Sequence, residues 1–138
     1  MEEETKTKRY DLEERTEAFA RRTAGFIEKP PKTLPTFEYE KQLIRSSGSV
    51  GANYLEANEA LSRKDFLMRI KIRRKEVKGS RYWLRLVRCT ETVEQERQSL
   101  IQEATELIGD CSGVRVLLVG FGYVCRVNST TSIGCVFA

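Results

Sequence analysis

Four cysteines, a scatter of carboxylates and a dense run of cations are the residues of this sequence that could do chemistry. Cys89, Cys111, Cys125 and Cys135 contain no C-x-x-C pair, and the chain has no histidine. A zinc site would need all four cysteines, or carboxylates, gathered from scattered positions. Without histidine neither a Ser-His nor a Cys-His nucleophile can be built. Acid–base work by carboxylates or lysine stays open, but no constellation of residues points to it. The expectation is a protein without metal or cofactor and without enzymatic activity.

The cations are more informative. Residues 63 to 88 hold eleven basic side chains against Asp65 and Glu76, a net charge of +9. Residues 91 to 110 hold six acids against Arg97, a net of −5. In helical projection Lys64, Lys71, Lys75, Lys78 and Arg85 fall near one line, with Arg74, Arg81 and Arg88 on its flank. At the helical rise that line is about 30 Å long, enough to follow a phosphate backbone. Two readings stand side by side. The basic face binds RNA or DNA, or it is simply the solvated side of a long helix or pairs within the bundle with the acidic segment after it. Tyr82 and Trp83 lie among the cations and could stack on bases, although Trp83 next to Leu84 also suits an interface or the core.

Four helices are predicted to carry these residues. The first covers about 9 to 29, with Leu12, Phe19, Thr23 and Phe26 at helical spacing, and stops at Pro30-Pro31. The second runs from about 36 to 58, with Leu43, Val50 and Tyr54 on one stripe and Ile44, Gly51 and Leu55 beside it. The third starts at Ser62, where Ser62 and Asp65 resemble a capping box, and its apolar seam is Phe66, Ile70, Val77, Leu84 and Val87. The fourth covers roughly 91 to 108, with Val93, Leu100, Ala104 and Leu107 inward and Ile101 and Ile108 alongside. Short connections between long amphipathic helices favour antiparallel neighbours. The fold class expected is therefore all-α, an antiparallel up-and-down four-helix bundle.

The stretch RSSGSVGANYLEA, residues 45 to 57, reads as a loop by propensity, because each helix-interior glycine costs about 1 kcal/mol against alanine. A loop there would strand Leu43, Ile44 and Val50 without a completed stripe. The pattern therefore predicts a helix with a thin face on which another backbone can pack closely.

At 138 residues the chain is most simply one bundle domain over 1–110 with a tail over 111–138. The tail has no acid after Asp110, is rich in Val, Gly, Ser, Thr and Cys, and is expected to be non-helical or poorly ordered, like an appended sequence. Its VRVLLVGFGYVC imitates the start of a dinucleotide-binding fold. However, Cys125 stands where a third glycine belongs, and too few residues follow for a βαβ unit. The apolar run 116–124 is too short to span a bilayer, and the charged N-terminus is no secretory signal, so the cytoplasm is the expected location and no membrane a partner.

The segments RTEAFARRTAGFIEKPPKTLP and QLIRSSGSVGANYLEANEALSRKDFLMRIKIRRKEVKGSRYWLRLV resemble a bacterial four-helix-bundle family. That family includes the proteins encoded in intervening sequences of 23S ribosomal RNA genes. The most specific pieces are Gln42-Leu43, Arg45-Ser46, Ser49-Val50, Ala52-Asn53, Glu56-Ala57, Asp65-Phe66 and Tyr82-Trp83-Leu84. The likeness runs from about Leu12 to Ile108. It implies an up-and-down bundle that assembles as a ring, a homopentamer, with no enzyme chemistry. Related accessory proteins of diversity-generating retroelements use basic pentamers to bind nucleic acid and a reverse transcriptase. The tail departs from the pattern, since Gly109-Asp110-Cys111-Ser112-Gly113 is expected to break the fourth helix.

Two functions follow as expectations. One is a ring-forming scaffold that binds RNA or DNA through the basic face of helix three. The other is an oligomeric interaction module in which that face meets an acidic protein partner or the protein's own helix four. Tyr54, Phe66 and Trp83 are the aromatics expected to be spare for self-association.

Overall fold

The computed structural model describes the backbone of residues 3–112, 114–119 and 122–127 and the side chains of residues 12–110. The elements are α1 (Glu3–Ile27), α2 (Leu34–Asn58), α3 (Arg63–Leu86) and α4 (Glu91–Ser112), then β1 (Val114–Val119) and β2 (Gly122–Val127).

Each helix turns a seam inward at alternating steps of three and four residues. The α1 seam is Leu12, Thr16, Phe19, Thr23 and Phe26. In α2 it is Thr36, Glu40, Leu43, Ser47, Val50, Tyr54 and Ala57. Phe66, Ile70, Arg73, Val77, Ser80 and Leu84 form the α3 seam, continued by Val87 at its cap. Leu100, Ala104 and Leu107 form that of α4. A strict seven-residue repeat keeps such a seam facing its neighbours along the whole helix, the packing of a left-handed bundle. Cross-helix contacts give the directions. Tyr39 meets Trp83, Ser46 meets Ser80 and Glu56 meets Arg69, so α2 and α3 run oppositely. Arg15 meets Asp110, Arg22 meets Ser99 and Lys29 meets Glu96, so α1 and α4 do too. The up-and-down bundle read from periodicity is the fold.

The ends of the elements differ from the periodic reading, each for a local reason. α1 starts at Glu3 and stops at Ile27, ahead of Pro30-Pro31. α2 begins two residues early because Pro35 fits the first turn, where a missing N–H costs nothing, and the Thr33 hydroxyl caps the helix by accepting from the Thr36 N–H. Ser62 caps α3 as expected, accepting from the Asp65 N–H at 3.1 Å. The fourth helix does not break at Gly109 but continues to Ser112. Its last turn is tied down by Arg15, which donates to Asp110 at 2.9 Å, and that tertiary anchor offsets the glycine's poor propensity.

The described part of the tail is non-helical from Val114 onward. β1 and β2 pair antiparallel, from Val114 opposite Val127 to Val119 opposite Gly122. The two strands pair directly with each other in antiparallel register, which is not the strand–loop–helix order a dinucleotide site requires. Residues 128–138 lie outside the described residues, as do the side chains of Cys111, Cys125 and Cys135.

The glycine-rich stretch is helical throughout, inside α2. Its small residues let both neighbours approach: Ser46 meets the Ser80 hydroxyl of α3 at 2.9 Å, and Gly51 faces α1. A Cβ on Gly51 would lie 3.2 Å from the Thr16 hydroxyl and 3.5 Å from Thr16 Cβ, whereas one on Gly48 would meet nothing within 4 Å. Two substitutions should therefore part company in chemical denaturation. Gly48→Ala gains helix propensity, about 1 kcal/mol, without a clash. Gly51→Leu presses α1 and α2 apart and loses about 1 to 3 kcal/mol. Equal stability changes at both positions would rule out close packing at Gly51.

Two of the aromatics expected to be spare are not. Phe66 and Tyr54 are buried in the core because they occupy seam positions. The large apolar side chains left in solvent on α2 are Leu34, Phe37, Ile44 and Leu55 instead.

Candidate nucleic-acid interface

The basic face is built by what the α3 seam leaves over. With Phe66, Ile70, Val77 and Leu84 buried, Lys64, Lys71, Arg74, Lys75, Lys78 and Arg85 are all exposed, on the outer side toward α4. Two of the eight predicted residues sit differently. Arg81 is half-buried and donates to the Thr105 hydroxyl at 3.3 Å, so it braces α3 against α4. Arg88 is exposed but lies beyond the helix, because Val87 leaves helical geometry at φ −62° and ψ 122° and turns the chain toward α4.

The acids of α4 do not neutralise this face. Glu103, Glu106 and Asp110 gather around Arg15 of α1 at 3.1, 3.3 and 2.9 Å. Glu96 accepts from Lys29 at 2.6 Å, and Glu94 from Arg97 at 2.6 Å. Among the described residues none of Lys64, Lys71, Arg74, Lys75, Lys78, Arg81, Arg85 and Arg88 forms an ion pair. The pairing of basic and acidic helices expected as the alternative is thus a pairing of α4 with α1, on another side of the bundle. Sequence could not show this, because charge balance along the chain does not say which helix faces which.

Trp83 is half-buried and stacks on Tyr39 of α2, with ring centroids 6.0 Å apart and planes at 25°. Its role is to join α2 and α3. Tyr82 is exposed and meets the Trp83 ring edge to face at 5.0 Å. One charge on α3 escaped the sequence reading. Arg73 sits in the seam between Ile70 and Val77 and is fully buried, its guanidinium 5.3 Å from the centre of the Tyr54 ring.

The C-terminal end of the basic face is fixed by a polar corner. Arg97 donates to the Arg85 and Val87 carbonyls at 3.4 and 3.3 Å, meeting α3 carbonyls that have no helical partner. Those bonds use Nη1, and Nη2 donates to Glu94 at 2.6 Å. Hydrogen bonds from Arg97, then Gln98 and the Cys89 thiol, lower the Glu94 pKa to about 2. Burial and the bond to Glu94 raise that of Cys89, so the thiol stays protonated and donates to the carboxylate at 3.1 Å. A carboxylate whose folded pKa is depressed contributes stability above its unfolded value near 4.5 and loses it as pH falls toward 2. The Tm difference between the wild type and Glu94→Gln should hence be present at neutral pH and close between about pH 4.5 and 2. A pH-independent gap in a thermal-melt series would mean that the charge of Glu94 contributes nothing.

Among the described residues no three Cys, Asp or Glu side chains gather as a metal-ligand set, and no helix is long and apolar enough to cross a membrane. Fold and surface together define a small helical-bundle protein whose distinguishing feature is a basic outer helix. The chain belongs to the family of 23S rRNA-intervening sequence proteins, whose family model matches residues 8–112. It is similar in structure to a protein of unknown function from the S23 ribosomal protein family of Bacteroides thetaiotaomicron. The two share 28% identity and a TM-score of 0.63, over 72% of this chain and 94% of the other. No curated protein matches the sequence.

Proposed function

We propose that this protein is a non-enzymatic, oligomeric scaffold of the cytoplasm that binds RNA or DNA along the exposed face of α3. One observation carries the reading. Lys64, Lys71, Arg74, Lys75, Lys78 and Arg85 are exposed along one helix, and no carboxylate of the described residues pairs with them. Six like charges held on one rigid rod repel one another, and a polyanion relieves that repulsion while releasing its own counterions. A ring of copies, five in the arrangement that the family likeness suggests, would repeat the face around an axis and multiply the weak contacts of each chain.

A second reading draws on a different surface. Phe37, Ile44 and Leu55 on α2 are each about half exposed, and a groove of about 270 Å³ between α1 and α2 is lined by Thr16, Ala20, Gly51 and Leu55. An apolar stripe of this kind serves self-association or a protein partner, and an acidic partner could then take the α3 face. Salt separates the two readings. Polyanion binding measured by fluorescence anisotropy should weaken by orders of magnitude between about 50 and 200 mM salt. Absence of binding to both RNA and DNA at the lower salt would leave the interaction scaffold as the function.

A further inference from the structure

Tyr82 occupies the same line of α3 as the lysines, one turn beyond Lys78 and just before Arg85. Positions 75, 78, 82 and 85 follow steps of three and four, so all four side chains leave the helix on one side. Tyr82 is 55% exposed, large for an aromatic. Its posture is held from below. Its ring meets that of Trp83 at 66°, and Trp83 is itself clamped by the Tyr39 ring of α2. The ring is therefore the outermost of a three-aromatic cluster anchored in two helices, and its rotamer freedom is already reduced before any ligand arrives. On either side lie cations that have no partner among the described residues.

An aromatic face between cations spaced along a rod suits a base attached to a phosphate backbone. Paired bases in a duplex keep their faces stacked on one another, so only unpaired bases can lie on such a ring. We infer that Tyr82 is a stacking platform that makes the α3 face select single-stranded over double-stranded nucleic acid. This inference rests on the proposed function, which requires only the cations.

The test uses the full chain and three probes of equal length: single-stranded oligouridylate, single-stranded oligothymidylate and a mixed-sequence duplex. Tyr82→Leu should weaken binding of the single strands about ten-fold. The salt dependence should keep its slope, because no phosphate contact is lost, and duplex binding should not change. Tyr82→Phe should restore the single-strand affinity, since the ring and not the hydroxyl is used. The two single strands tell RNA from DNA, and selective loss on either one supports the inference. If Tyr82→Leu binds single strands as the wild type does, or loses single strand and duplex equally, Tyr82 is not a stacking platform. When that happens and Lys75, Lys78 and Arg85 remain essential, the stacking inference alone falls. A wild type that binds none of the probes overturns both readings.

Discussion

Exchange of Lys75, Lys78 and Arg85 together for glutamate is expected to abolish retention of RNA and DNA while leaving helical content and oligomeric mass unchanged. The three side chains are exposed and make no ion pair among the described residues, so their removal strands no buried partner. Glutamate forms helix nearly as well as lysine and arginine. The fold therefore has little to lose. The interface loses a great deal. Each phosphate contact contributes about 0.7 to 0.9 to the slope of log affinity against log salt, so three lost contacts flatten it by about 2 to 3. Reversal adds repulsion at the same three points. Copies in an assembly multiply the effect, because every chain carries the change. Circular dichroism and light scattering check the fold and the mass, and anisotropy at low salt checks the binding. Wild-type affinity in the triple variant would locate the polyanion elsewhere or deny it altogether.

Arg73→Met is expected to raise stability, by about 1 to 4 kcal/mol if it follows the range seen when buried ion pairs are replaced by apolar side chains of similar volume. Arg73 is fully buried, and none of its three guanidinium nitrogens has a hydrogen-bond acceptor among the described residues. Desolvating such a group costs several kcal/mol. The Tyr54 ring at 5.3 Å returns about 2 kcal/mol, less than the desolvation takes. Methionine would fill the same place in the seam between Ile70 and Val77 and remove the uncompensated charge. Chemical denaturation of the two proteins at one concentration measures the difference. A loss of stability on substitution would show that an acceptor outside the single chain meets the guanidinium in the assembled protein.

The core was legible from period alone. Leu12, Phe19, Phe26, Leu43, Val50, Tyr54, Ile70, Val77, Leu84, Leu100 and Leu107 all appear at helical spacing and are all buried. A helix has one solvent-facing side, and the sequence must write that side in polar residues. For the same reason the composition of the α3 face could be read before the fold. Local chemistry was legible too where it is short in range, as in the Ser62 cap and the stop ahead of Pro30. The glycine-rich stretch was readable as helix because only a helix completes the stripe through Leu43, Val50 and Tyr54.

What period could not carry is the identity of the neighbours. The acids of α4 face Arg15 and Lys29 of α1, not the cations of α3, because packing order, and not order along the chain, decides which charges meet. Arg73 looked like one more cation of a basic helix, and its seam position, seven residues after Phe66 and four before Val77, was overridden by its charge. Phe66 and Tyr54 lay on the apolar stripes yet also counted as spare for self-association, and closure of the seams left neither available. Helix four outlasted Gly109 because Arg15, ninety-five residues earlier, holds Asp110. In each case the sequence set the intrinsic preference of a segment, worth about 1 kcal/mol per residue or less, and a contact between distant residues, which exists only once the bundle has formed, decided the outcome.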